Sequence, residues 1–278
     1  MLSLLLALAL FAGFFALGSW VGIRRAKAAP WCVGAAVILI FLRIFWRLYP
    51  QFEYPLFPFD WYVDVRPWWV FAPAQFAVGV GAAKMSTKGA RVGVGMLGLL
   101  LWVVSGQRMF LSYMLPQDEM KGLPDDKGVV RQTTDYTCGS AAAATVLTQM
   151  GVPSTEREMA GLCGTNAFTG TDEFGVAKGL RAKLPGRRVR VEGGDWEDLK
   201  KAPMPAAVTI RFVPWIDHWV VVLEVQEGGV IVGDPVGGRK AMGKDIFVRK
   251  WRGVMVTVED DNNEGKNEKQ KTKNEKDR

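Results

Sequence analysis

QTTDYTCGSAAAATVLTQMG, residues 132 to 151, is the stretch on which the reading of this chain turns. A cysteine opens a run of small residues with helical character, and a glutamine lies six positions before it. A thiol at a helix N-terminus faces backbone N–H groups with no intrahelical partner and the positive end of the dipole, which favours thiolate. Cys138 is thus placed to be a nucleophile. When a thiolate attacks a carbonyl the oxygen becomes negative, and the backbone N–H of Cys138 and the side-chain amide of Gln132 are positioned to donate to it. Gly139 and the small residues after it let such a helix pack closely beneath the site. Taken alone, the segment reads equally well as a buried cysteine heading a core helix, with Gln132 an ordinary surface residue.

A second segment supplies what the first lacks. DHWVVVLEV at 217–225 is followed by GVIVGDPVGG at 229–238, with His218 at the head of one strand and Asp234 at the end of the next. Thiol chemistry needs a base and a group that orients it. His218 is the chain's one histidine, and a hydrogen bond from Asp234 would set its tautomer and orientation. Asp217 is a poor substitute, because adjacent strand residues point to opposite faces. Singly, His218 capping a strand and Asp234 in an Asp-Pro turn are the commoner roles. Together Gln132, Cys138, His218 and Asp234 are the four parts of a papain-like site.

These segments lie in a globular unit that begins near residue 128 and spans ~130 residues, enough for its own core. Helices are expected at 138–150, from 154 on a Thr155–Glu158 capping box, and at 172–184 up to Pro185. Strands follow at 188–192, 206–212, 219–225, 229–235 and 253–258, β-branched runs broken by Gly and Pro. Helices first and strands after indicate an α+β fold, a helical half plus an antiparallel sheet. Cys163 reads as a core residue.

The rest of the 278-residue chain differs in composition. Residues 1 to 116 hold 10 Lys/Arg against 3 Asp/Glu, residues 117 to 258 hold 19 against 18, and the tail 259–278 holds 6 against 7, so the net charge of +7 belongs to the first part. Its cations flank long apolar runs, a pattern of membrane segments and not of a nucleic-acid surface. About four transmembrane helices are expected, at 2–23, 28–49, 67–83 and 92–115. No Lys or Arg precedes the first, which argues against a cleaved signal peptide. Arg43, Arg47 and Arg108 must snorkel or face partner helices, and the Pro-rich, aromatic stretch 50–66 reads as an interfacial loop. The charged loops after the first and third spans share one side if all four spans cross, and the excess of Lys and Arg there makes that side cytoplasmic, which puts the 117–258 domain outside the cytoplasm. The tail has no apolar residue to bury and is expected to be disordered. Three cysteines, at 32, 138 and 163, with a single histidine cannot build a zinc cluster, so no metal and no cofactor is expected.

Residues 128 to 256 resemble the bacteriocin-processing cysteine peptidases, papain-like domains that remove double-glycine leader peptides and are usually fused to ABC exporters. The matching features are Gln132 with Cys138-Gly139 and the small residues after it, His218-Trp219-Val220, Asp234-Pro235-Val236-Gly237-Gly238, and Trp251-Arg252-Gly253. The resemblance implies Cys138 as nucleophile, His218 as base and then acid, Asp234 as its orienting partner and Gln132 as oxyanion donor. It implies a peptide or protein substrate and cleavage after Gly-Gly; the apolar runs, for their part, imply a bilayer-embedded anchor in a bacterial cytoplasmic membrane, and a separate exporter or membrane protein stays open as a partner. The exporter-fused members carry transmembrane and nucleotide-binding domains after the peptidase, whereas here about four spans precede it, so export by the same chain is not expected. GRKAMGKD at 238–245 nearly matches a phosphate loop but has Asp245 where a hydroxyl belongs, and reads as a turn. Two other functions stay open at this point: peptide binding without hydrolysis, and acyl or peptidyl transfer through the same thioester.

Overall fold

The computed structural model describes residues 2–66, 68–113, 117–165, 167, 170–213 and 216–260. The chain divides into two compact units, residues 1–115 and 116–278. The tail expectation falls largely on residues 261–278, outside those described, although 259 and 260 end a strand.

The first unit is helical: α1 (Leu2–Arg24), α2 (Ala29–Leu48), α3 (Pro50–Glu53), α4 (Asp60–Val65), α5 (Trp68–Lys84) and α6 (Lys88–Tyr113). Helices thus occupy the four apolar runs. Among the described residues only α2 is long and apolar enough to cross a membrane, so about four transmembrane helices is corrected to one candidate. Part of the reason is physical: α5 has 17 residues with Pro73 inside it, about 26 Å of helix against ~30 Å of hydrocarbon. The side chains of 1–8 and of most of 101–113, Arg108 among them, lie outside the description. α1 and α5 cross so closely that a side chain at Gly18 would run into the Phe76 carbonyl, and one at Gly79 into that of Phe15. Small residues at such a crossing let backbones approach.

The supposed interfacial loop folds into α3 and α4 around a buried charge. Glu53 is fully buried and accepts from Arg66 Nη2 at 2.6 Å, Arg66 Nε at 3.0 Å and the Tyr62 hydroxyl at 2.7 Å. Arg43 does not snorkel: it is buried, with Nη1 3.8 Å from the same carboxylate. A charge removed from water must be paired, and the pairing draws α2, α3 and α4 together.

The second unit has the α+β order expected. α7 (Cys138–Gln149), α8 (Glu156–Cys163) and α9 (Glu173–Lys183) come first, then β1 (Arg187–Gly193), α10 (Trp196–Lys201), β2 (Ala206–Val213), β3 (Ile216–Gln226), β4 (Gly229–Asp234), β5 (Gly238–Gly243), α11 (Lys244–Lys250) and β6 (Trp251–Asp260). The strands form one antiparallel sheet in the order β1-β6-β2-β3-β4-β5. α10 and α11 were not foreseen, and the stretch 238–245 is a strand entering a helix, not a turn. Val208, Ile210, Val220, Val222, Val230 and Val232, alternate residues of three neighbouring strands, bury against Trp196, Leu199 and Phe247 of those two helices. The period of two sends the intervening residues to the opposite face, where Gly233 meets Thr145 of α7 and Val129. α8 starts where Thr155 accepts from the Glu158 N–H and ends on Gly164 in the left-handed region, φ 64°.

Candidate active site

Sheet register brings the histidine and the aspartate together. β3 and β4 pair as Val221 with Gly233 and Val222 with Val232. Continued by one step, this ladder sets Asp234 beside Val220 and diagonal to His218 on the same face, within reach of long side chains. The bond follows: His218 Nε2 lies 2.8 Å from Asp234 Oδ1, both residues buried. On the other side β5 pairs Val232 with Lys240, and Lys240 Nζ donates to Asp234 Oδ2 at 2.5 Å. The Val236 N–H also donates to Oδ1, at 2.8 Å. Burial raises the Asp234 carboxyl, but the bonds from His218, Lys240 and Val236 outweigh it and hold the group well below the usual carboxylate range.

Cys138 is the first residue of α7 and is partly exposed. Its thiol interacts with the His218 ring. Since Nε2 is taken by Asp234, Nδ1 is the nitrogen left for the sulfur. Burial pulls the His218 pKa down, yet hydrogen bonds to Asp234 and Cys138 and their charges overrule it and carry it up to about 9. The imidazole is therefore held protonated at neutral pH between two groups that stabilise its charge.

The start of α7 is seated by close packing. A Cβ on Gly139 would come 2.7 Å from Thr171 Cβ and 3.1 Å from Trp219 Cδ1, so the residue after the cysteine has room only for hydrogen. Trp219 Nε1 donates to the Thr171 carbonyl at 2.9 Å, and Ser140, Thr165 and Thr171 link their hydroxyls beside it at 2.5 and 2.7 Å. Residues 139 to 147 are all buried, four of them alanines. Close packing under the cysteine is what the small residues provide.

Gln132 is docked by its backbone, whose N–H donates to the Pro235 carbonyl at 3.0 Å, one residue beyond Asp234. Its side-chain Nε2 donates to the Thr134 carbonyl at 2.9 Å. An amide nitrogen carries two hydrogens, so one remains to donate elsewhere. All four residues singled out from the sequence thus converge on the Asp234 end of the sheet. Asp217 does not join them, and accepts from Arg252 Nε at 2.6 Å. Cys163 is buried within the domain. Lys240 was missed: it lies inside the stretch dismissed as a broken phosphate loop, and only strand register shows it facing Asp234. Among the described residues no group of three His, Cys, Asp or Glu side chains gathers to hold a metal ion.

An α+β domain with a thiol, an imidazole and a carboxylate so arranged is that of a cysteine-type peptidase. Residues 126–263 match the peptidase C39 family, and the chain belongs to that family. An uncharacterized protein of Methanothermobacter marburgensis is 36% identical over 144 residues, 51% of this chain and 94% of that protein. The probable functional amyloid protease FapD of Pseudomonas fluorescens is 28% identical over 153 residues, 47% of this chain and 59% of that protein. Among solved structures, the peptidase domain of Streptococcus ComA, a bifunctional ABC transporter, aligns with 25% identity and a TM-score of 0.42, over 47% of this chain and 96% of that one.

Proposed function

We propose that this protein hydrolyses a peptide bond through a thioester on Cys138, and that its helical first unit anchors it to a membrane. The observation that carries the chemistry is the 2.8 Å bond between His218 Nε2 and Asp234 Oδ1 with Cys138 against the same ring. The proton shared by the Cys138–His218 pair already rests on His218, and Cys138 Sγ attacks the substrate carbonyl as the thiolate. The developing oxyanion takes hydrogen bonds from the Cys138 N–H and the free hydrogen on Gln132 Nε2. His218 then returns the proton to the leaving amine, and a water it activates hydrolyses the thioester. Asp234 stays ionised and holds the imidazolium in orientation, steadied by Lys240. A peptide cleaved after a Gly pair is the substrate class implied by the family resemblance. The anchor rests on α2, the one described helix of suitable length and composition.

The test is cleavage of an internally quenched peptide containing Gly-Gly by the full chain in lipid nanodiscs, with intact-mass analysis for an acyl adduct. Wild type is expected to cleave and to show the adduct on Cys138, and Cys138→Ala to do neither. Cleavage that persists in Cys138→Ala, or wild type that neither cleaves nor acylates, would overturn the reading.

A further inference from the structure

One buried acid takes no part in the chemistry above. Glu156, the first residue of α8, is fully buried. Its Oε1 accepts from the Thr133 N–H at 2.7 Å and the Thr137 hydroxyl at 2.5 Å, and its Oε2 from the Gly122 N–H at 2.9 Å and the Thr133 hydroxyl at 2.6 Å. All four donors are neutral, and three belong to the five residues between Gln132 and Cys138. Four short hydrogen bonds converge on this one buried carboxyl group, so the loop is gripped from one point.

The grip extends to both oxyanion donors. The Thr137 hydroxyl has one hydrogen and gives it to the nearer acceptor, Glu156 Oε1 at 2.5 Å against the Thr134 carbonyl at 3.2 Å, so in the 2.8 Å contact between the two hydroxyls Thr134 donates. The carbonyl of Thr134 in turn receives Gln132 Nε2. A relay therefore runs from Glu156 through two threonines to the side chain of Gln132. Thr137 is also the N-cap of α7, where a threonine ordinarily accepts from the first-turn N–H groups. Here, among the described residues, it makes no capping bond. Its hydroxyl is turned to Glu156, and the first turn beside Cys138 keeps its N–H groups for a ligand.

We infer that Glu156 is a positioning residue for the reaction: through Thr133, Thr134 and Thr137 it sets the Gln132 amide and the uncapped first turn of α7 as the oxyanion site. The inference rests on the functional reading above. A carboxylate that merely ties α8 to the loop would support every reaction of Cys138 alike. One that shapes the oxyanion site supports only those that pass through an oxyanion.

Two probes on the full chain separate these. Iodoacetamide alkylates Cys138 by substitution at saturated carbon, where no oxyanion forms. N-acetyl-glycylglycine p-nitrophenyl ester acylates it: a sulfur–carbonyl bond forms, the ester C–O bond breaks, p-nitrophenolate leaves, and the carbonyl oxygen is negative in between. Glu156→Gln and Thr137→Val are expected to slow acylation about tenfold or more, toward the ~10²–10³-fold seen when an oxyanion donor is removed, with alkylation within about twofold of wild type. Thr137→Ser, which keeps the hydroxyl, is expected to acylate as wild type does. Thr134→Val, which cuts the relay but leaves the carbonyl under Gln132, should fall between. If Glu156→Gln does not fold, the Thr137→Val and Thr137→Ser pair decides. Equal loss in both reactions, or no loss of acylation, overturns the positioning role. Wild type that alkylates but is not acylated defeats the peptidase reading first, and this one with it.

Discussion

The two cysteines of the peptidase unit sit at opposite ends of neighbouring helices, and the contrast shows what the fold does to a thiol. Cys138 opens α7, partly exposed, against an imidazole. Cys163 closes α8, almost fully buried, where the dipole presents its negative end. A Cβ on Gly179 would meet Met159 at 2.8 Å and run into the Cys163 sulfur, so that sulfur is packed on all sides as a small hydrophobe. Burial, with Asp172 nearby, pushes its thiol up to about 12. Position relative to a helix axis and to water, not residue type, separates a reagent from a filler.

The largest expected effect tests that contrast directly. At neutral pH a thiol with a pKa of about 12 holds roughly a thousandth of the thiolate of an ordinary one, and burial adds steric protection. Iodoacetamide should therefore modify Cys138 at least about a thousandfold faster than Cys163, read by peptide mapping of the folded chain. In denaturant the two rates should converge. Comparable rates in the folded chain would mean that Cys163 is reachable and the packing described is wrong.

Much of this was legible in the sequence, because the signals were local. The Gly and small residues after Cys138, the β-branched runs and the Asp-Pro step each mark backbone requirements within a few residues. The spacing from His218 to Asp234 is the length of one hairpin, so register aligned them. What stayed hidden depends on chain-distant contacts. Glu156 looks like an ordinary first-turn acid of a capped helix, and its partners lie 19 to 34 residues away. Lys240 sits in a glycine-bounded strand too polar to show its period. α10 and α11 have six and seven residues, too few for a helical repeat to emerge. In the first unit, composition suggested about four spans because it marks apolar runs without fixing how long each helix is, 17 residues in α5. It equally hid that Arg43 and Arg66 meet Glu53.

A smaller effect sharpens the electrostatic half of the contrast. With His218 held protonated up to about 9, amide cleavage should be sustained to that pH and then fall about tenfold per pH unit as the imidazolium is lost. Alkylation of Cys138 should show no such decline, since it needs no proton donor. The same raised pKa contributes stability that is complete below about 6.5 and disappears as pH rises through about 9, so thermal stability of the peptidase unit should drop across that window. In Asp234→Asn the strongest upward influence on His218 is gone. The descending limb should move to lower pH, and the stability window should narrow. A limb that stays near 9 in Asp234→Asn would show that the carboxylate does not set the imidazole.

Lys240→Met is expected to give the smallest change, and its sign is informative. Lys240 is 44% exposed at the side chain, so its pairing with Asp234 is screened by solvent, and such a pair contributes no more than about 1 kcal/mol. Its removal should alter peptide cleavage by less than about fivefold. Yet without the cation, the Asp234 charge acts more fully on the histidine. The alkaline limb should then move slightly upward, opposite to its shift in Asp234→Asn, while the rate falls because one oxygen of the carboxylate has lost its anchor. A downward shift would mean that Lys240 serves mainly to keep Asp234 in place for His218, and that loosening the carboxylate weakens their bond more than unmasking its charge strengthens it.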